Sequence, residues 1–182
     1  MTQVLVPLAQ GCEELEAITI MDLLVRANIQ VTSAGLDDQV VVAARGTRII
    51  PDTSIDQVID KEFDMVVLPG GLPGADHLRD NERVQKILKH HAQKKKYVAA
   101  ICAAPKALAK AGLLENRTAT AYPGVLQALE LKNTEIRETA IEEDGNIITS
   151  RGPGTAMDFA LVLIEKLEGK KVREKVEQGL TR

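Results

Sequence analysis

Short, uninterrupted apolar runs alternate along this chain with longer stretches whose apolar positions recur every three or four residues. Val4-Leu5-Val6-Pro7-Leu8, closed by Gly11, reads as a first buried strand. Glu13 then opens a helix with Ala17, Ile18, Met21, Leu24 and Val25 as its apolar face. Residues 30–36 (QVTSAGL) and 40–44 predict a second and a third strand, and 45–52 (RGTRIIPD) a turn with a short strand. Residues 64–69 (DMVVLP) read as another buried strand, followed by the glycine-rich loop 70–75 (GGLPGA) and a long helix from about 82 to 94. Tyr97 to Ile101 is again strand-like, and from Ala103 to about 111 the period becomes helical. Residues 117–123 predict a strand leading into a short helix, 134–143 alternate as a strand does, and 146–150 (NIITS) form the last buried strand. After RGPG (151–154) comes a helix with Ala156, Phe159, Ala160, Leu163, Ile164 and Leu167 on one face. Thr155 and Asp158 have the spacing of a capping box at its start.

Strands alternate with helices at βαβ spacing, with no linker and no repeat. This predicts a single α/β domain over 1–182, built on one doubly wound, mostly parallel sheet. In such sheets ligands bind outside the carboxyl ends of the strands. Loop 10–16, loop 70–75, the turn at Cys102 and loop 150–155 each follow a strand, so they are expected to converge on one edge.

Composition narrows the picture. The chain is 45% hydrophobic but only 2% aromatic, with no tryptophan. The core must therefore be Val, Ile, Leu and Ala, as buried parallel strands require. A net charge of −3 with interspersed signs leaves no electrostatic footprint for nucleic acid. The basic cluster Lys94-Lys95-Lys96, after His90 and His91, ends a helix and complements its dipole. No secretory signal pattern opens the chain and no apolar run reaches the ~18 residues of a membrane span, so a cytoplasmic, membrane-free protein is expected. Cys12 and Cys102 have neither zinc spacing nor the density of a disulfide scaffold, and no metal or cofactor is expected.

The candidate chemistry lies in YVAAICAAPKALAKAG (97–112), where Cys102 sits at the change of period from strand to helix. A nucleophile elbow has this layout, here with a thiol. Ala100, Ala103 and Ala104 allow a tight turn, Pro105 suits a first helical turn, and strained backbone is expected at Cys102. Amides at the helix start would lower the thiol pKa. The alternative is an inert buried cysteine, but such a residue belongs in mid-strand or on an apolar helix stripe. A histidine partner is harder to find. His91 shares a face with Ile87 and Leu88 and reads as a half-buried structural residue, His90 lies in a charged surface run, and His77 follows the glycine loop. Carboxylates offer more: Glu13, Glu14 and Glu16 in GCEELEA lie at the same sheet edge. Some of them serve the helix dipole, whereas one held neutral by burial could donate a hydrogen bond to a thiolate.

GCEELEA, VVLPGG, AAICAAP and TSRGPGTAMDFAL, in that order, resemble the ThiJ/PfpI superfamily nearly end to end, and most of all its branch of bacterial YajL-like proteins and the parkinsonism-associated protein deglycase. The resemblance implies a flavodoxin-like three-layer α/β/α sandwich, usually a homodimer, with an oxidation-prone cysteine at the elbow. It implies Cys102 as nucleophile, Glu16 as the buried carboxylic acid, and the backbone amides of Gly71 and Ala103 as oxyanion donors. It also implies Arg45 and Arg26 near the site and the dimer interface. Two departures matter. Ala103 stands where the peptidase branch has histidine, which disfavours a Cys–His peptidase. Tyr122 in TAYP stands where several deglycase-branch members have histidine; it can shape a pocket but is a poor base near neutral pH. Cys12 stands where a small residue is expected.

Three functions follow. The first is a protein deglycase or cofactor-independent glyoxalase acting on methylglyoxal, glyoxal or their adducts in carbonyl and oxidative stress. The second is a redox-sensing stress chaperone that uses oxidation of Cys102, and the third is a class I amidotransferase-like or peptidase-like hydrolase. An accessible, acidic thiol serves the first two equally.

Overall fold

The computed structural model describes residues 1–182. Its elements run β1 (Gln3–Leu8), α1 (Glu14–Arg26), β2 (Gln30–Gly35), β3 (Val41–Val42), β4 (Arg48–Ile49), β5 (Thr53–Ser54), β6 (Met65–Leu68), α2 (Gly74–Asp80), α3 (Glu82–Gln93), β7 (Tyr97–Ile101), α4 (Pro105–Lys110), β8 (Thr118–Ala119), β9 (Glu135–Ile136), β10 (Ile141–Asp144), β11 (Ile147–Ser150), α5 (Ala156–Glu168) and α6 (Lys170–Gly179).

The apolar runs become a seven-stranded sheet in the order β10-β11-β7-β6-β1-β2-β5. Every pairing in it is parallel except β10 with β11 at one edge. Strand residues alternate between two cores, as a period of two demands. Val4, Val6, Leu8, Met65, Val67, Ala99 and Ile101 face α1, α5 and α6, with Phe159 at the centre. Leu5, Val66, Leu68, Val98 and Ala100 face the opposite layer of α2, α3 and α4. This is a flavodoxin-like three-layer α/β/α sandwich.

Several expectations change. The stretches at 40–44 and 117–123 contribute only β3 and β8, each paired in a two-stranded sheet outside the main one. On α1 the buried face is Glu16, Ala17, Ile20, Leu23 and Leu24, whereas Ile18 and Val25 lie outside it, 44% and 58% exposed. The helix carries two apolar stripes, and α5 covers only one of them. The capping box at Thr155 is not formed: its hydroxyl bonds back to Ser150 and to the backbone of Gly152, while Asp158 pairs with Arg182. Helix α4 begins at Pro105, two residues later than the period change suggests. Helices α2 and α6 have no counterpart in the sequence reading.

β1 has β2 on one side and β6 on the other, so the chain reverses its winding direction between β1 and β6. At this switch point two neighbouring strands send their following loops to opposite faces and leave a crevice. The loops after β1, β6, β7 and β11 therefore meet at one edge.

Candidate active site

Cys102 follows the last residue of β7 and has φ +62°, the left-handed region that L-residues avoid. Two backbone hydrogen bonds hold it there. Its N–H donates to the Ser150 carbonyl at the end of β11 (2.9 Å), and its own carbonyl accepts the Tyr122 N–H (2.8 Å). The strain expected at the elbow is present, held by the end of β11 and by the loop that carries Tyr122. The side chain is 8% exposed. The backbone N–H groups of Gly71 and Ala103 lie near enough to the sulfur to favour its charged form.

Glycine is required on the facing loop. A Cβ on Gly71, which has φ +86°, would lie 2.3 Å from the Glu13 nitrogen. A Cβ on Gly70 would lie 2.7 Å from Cys102 Cβ and 2.8 Å from Glu16 Oε2. Sequence reasoning singled out Gly71 but missed Gly70, whose N–H donates to Glu16 Oε2 at 2.8 Å. The doubled glycine of PGG was the available signal.

The three acids of the EELE run separate by burial. Glu13 precedes α1 with its carboxylate 4.0 Å from Arg45. Glu14 accepts the Arg45 N–H (2.9 and 3.1 Å to its two oxygens) and ties the β3–β4 turn to α1. Glu16 is fully buried, and its Oε1 has no hydrogen-bond partner. Burial lifts its carboxyl from 4.5 to about 7, against the opposing pull of the Gly70 N–H and the Cys102 thiol. Burial, and then the charge of Glu16, push the Cys102 thiol up from 9.0 to about 12, against the lowering by the Gly71 and Ala103 amides. The lowering of the thiol pKa expected from the helix start is therefore not found: burial outweighs the two amides, and the charge of Glu16 adds to it. Protonating Glu16 removes the like charge and leaves burial as the main cause that holds the thiol up, so the two groups titrate as a pair.

Tyr122 is half-exposed; its N–H meets the Cys102 carbonyl, and its ring lies 3.4 Å from where a Gly152 Cβ would stand. Arg45 lies at the mouth, near Glu13 and Glu14. Arg26 does not belong to the site. It ends α1 and pairs with Asp22 at 2.7 Å, roughly 18 Å along the helix from the crevice. No histidine is bonded to the thiol. His77 Nδ1 meets the Gln10 carbonyl at 3.1 Å, and His90 lies near Glu62. His91 is more deeply buried than expected: its Nδ1 faces the Ile87 carbonyl (2.9 Å), and Nε2 accepts the Phe63 N–H (3.3 Å). Cys12 is fully buried and its thiol is pushed up to about 11, first by burial and then by the charge of Glu14. No group of three or more His, Cys, Asp or Glu side chains has metal-binding geometry.

A strained cysteine one strand from the switch point of a flavodoxin-like sandwich, beside a buried carboxyl, defines a class of α/β proteins with a thiol elbow. The chain belongs to the DJ-1/PfpI family, whose model matches residues 2–166. It is 44% identical over 177 residues to Protein dj-1beta of Drosophila melanogaster, spanning 97% of this chain and 95% of that protein. The crystal structure of Drosophila melanogaster DJ-1beta is similar with a TM-score of 0.95 at 42% identity, covering 99% of this chain and 97% of that one. Glutathione-independent glyoxalase DJR-1.2 of Caenorhabditis elegans is 36% identical over 160 residues, 88% of this chain and 85% of its own length.

Proposed function

We propose that this chain is a cysteine-dependent, cofactor-independent enzyme acting on α-oxoaldehydes such as methylglyoxal and glyoxal, or on their adducts with amines. One observation carries the reading: Cys102, held at φ +62°, and the fully buried Glu16, whose carboxyl burial lifts to about 7, stand together behind Gly70, where an added Cβ would touch both. A carboxyl at that value holds and releases a proton near neutral pH, as acid–base work requires. The similarity to a protein named as a glutathione-independent glyoxalase supports the same reaction class.

The Cys102 thiolate adds to the aldehyde carbon, and the carbonyl electron pair becomes an oxyanion between the Gly71 and Ala103 amides. That oxygen takes the proton held by Glu16. The resulting carboxylate removes the former aldehyde proton to give an enediolate; return of that proton to the neighbouring carbon, with the hydroxyl proton passing from one oxygen to the other, leaves a thioester. Water hydrolyses the thioester to a 2-hydroxy acid and returns the thiol. The sum is one oxoaldehyde plus one water to one hydroxy acid, with no external oxidant. For a glycated amine, attack at the hemiaminal carbon expels the amine instead, which is deglycation. Tyr122 takes no proton in this scheme. Ala103 after the nucleophile and the absence of a histidine at the thiol disfavour a peptidase or amidotransferase.

The test is lactate formation from methylglyoxal without added thiol. Wild type turns over, Cys102→Ser loses at least about a hundredfold, and Glu16→Gln is impaired. A wild-type chain that forms no lactate overturns the proposal. A second reading, a redox-sensing stress chaperone, is favoured by the greater exposure of Cys102 (8%) than of Cys12 (0%). It expects selective oxidation of Cys102 that changes client binding, without turnover. We infer a homodimer as well: Leu15, Ile18 and Val25 form an uncovered stripe along α1 beside the site. No helix is long and apolar enough to cross a membrane, and two unpaired cysteines suit a reducing compartment such as the cytoplasm.

A further inference from the structure

The Gly71 and Ala103 amides that favour the charged form of Cys102 come from different segments of chain. Gly71 lies just before α2, and its carbonyl accepts the Ala75 N–H of that helix at 2.9 Å. Ala103 lies in the turn before α4. The β6–β7 ladder that aligns the two segments ends at Leu68↔Ala100. Beyond it, the Gly71 segment rests on the start of α1, where the Glu13 N–H donates to the Gly70 carbonyl at 2.9 Å, and the Ala103 segment follows a residue tied to β11. The rest of the separation is set by α2 and α4, into which the two segments run. Both helices are short, at seven and six residues, and helices of that length have little stability of their own.

Gln85 on α3 joins them. Its Nε2 donates to the carbonyl of Arg79 in α2 at 3.0 Å and to that of Ala107 in α4 at 3.1 Å. α3 is a firm reference for both, because Asn81 caps it and Val84, Ile87 and Leu88 are buried. Gln85 itself is 8% exposed, and its Oε1 is buried without a partner. An apolar side chain would fill this place without leaving an orphan acceptor, so the two donated bonds are what the amide contributes. Lys106–Asp76 (2.8 Å) and Lys110–Asp80 (3.0 Å) also link α4 to α2, but they lie nearer solvent, where ion pairs hold weakly.

We propose that Gln85 is a positioning residue for the site: by bridging α2 to α4 from α3, it sets the gap between the Gly71 and Ala103 amides. The proposal rests on those amides serving as the oxyanion cradle. Its test needs no substrate, so a chain that turns over no dicarbonyl leaves it intact.

The variant is Gln85→Met, which matches the volume and removes both donors. Three quantities are read: the thermal midpoint, the iodoacetamide alkylation rate of Cys102 against pH, and hydrogen exchange at the Gly71 and Ala103 amides. Gln85→Met is expected to keep the wild-type midpoint, to alkylate at least fivefold more slowly near neutral pH with a raised apparent pKa, and to exchange both amides faster. Gln85→Lys, which offers three donors and leaves no orphan acceptor, is expected to restore the alkylation rate. A Gln85→Met protein with wild-type alkylation and exchange overturns the proposal, whether or not its midpoint falls. A Gln85→Met chain that fails to fold also overturns it, because Gln85 then serves the fold and not the site.

Discussion

Burying the Glu16 carboxyl has a cost that can be measured without any substrate. The side chain is fully buried, and burial raises its pKa from 4.5 to about 7. A carboxyl whose folded pKa lies above its unfolded value binds its proton more tightly in the native state. Its contribution to stability is therefore complete below about pH 4.5 and is lost as pH rises through about 7. A shift of about 2.5 units at 1.36 kcal/mol each makes that loss roughly 3 kcal/mol by about pH 7.5. Glu16→Gln removes the titration but keeps an acceptor for the Gly70 N–H, which donates to Oε2 at 2.8 Å. The stability difference between variant and wild type should thus grow in the variant's favour from about pH 4.5 to 7.5. With a urea m-value of about 2 kcal/mol/M, the midpoints should separate by about 1.5 M over that range. Urea melts at matched protein concentration measure this, and groups common to both chains cancel in the difference. The Cys102 thiol, raised from 9.0 to about 12, loses stability only above pH 9 and stays outside the window in wild type. Because desolvation is the largest cause of the Glu16 shift, the slope should survive in a Cys102→Ala background. Parallel pH profiles for wild type and Glu16→Gln would refute the buried acid.

The five principal parallel strands were legible because continuous Val, Ile, Leu and Ala runs leave few other ways to bury both faces of a segment. What failed shares a physical cause. α2 is hidden by the Gly and Pro around it, and α6 buries only Val176, so neither offers an apolar period to read. On α1 the sequence contains two stripes, and the choice between them lies with α5, distant in the chain. The site divides in the same way. Cys102 announced itself through the change of period, which is a local property. Glu16 did not stand apart from Glu13 and Glu14 without the family motif, although its spacing with Ile20, Leu23 and Leu24 put a carboxylate on an apolar face. That mismatch was the readable signal. The direction of the Cys102 shift was not readable, since it depends first on burial by distant segments and then on the charge of Glu16.

At Gly71, φ is +86° and an added Cβ would meet the Glu13 nitrogen at 2.3 Å. Gly71→Ala should therefore lose about 3 kcal/mol or more in a denaturant melt, and its Cys102 should alkylate more slowly. Burial holds the His91 pKa below 6.5, so its contribution is present above that value and is lost as pH falls through the folded pKa. His91→Leu should flatten the acid limb of a stability profile below about pH 6.5, while costing about 1–3 kcal/mol at neutrality by orphaning the Phe63 N–H. If α1 carries the dimer contact, Ile18→Glu should yield monomer by light scattering with wild-type thiol reactivity; an unchanged mass would move the contact elsewhere. The last prediction concerns Cys12. It follows β1 and Cys102 follows β7, and β6 stands between those two strands. Two strand spacings make about 9.6 Å, beyond the ~7 Å between Cα atoms that a disulfide can bridge without backbone movement. Moving Cys12 is costly, because its carbonyl accepts the Ala44 N–H and the backbones of Gly71 and Gly74 pack against it. Its thiol is fully buried and pushed up to about 11, which keeps it from forming the attacking thiolate. Under graded peroxide, peptide mass spectrometry should find two oxygens on Cys102 while Cys12 stays reduced. A Cys12–Cys102 cross-linked peptide at low peroxide would refute that geometry and make the pair a two-cysteine switch.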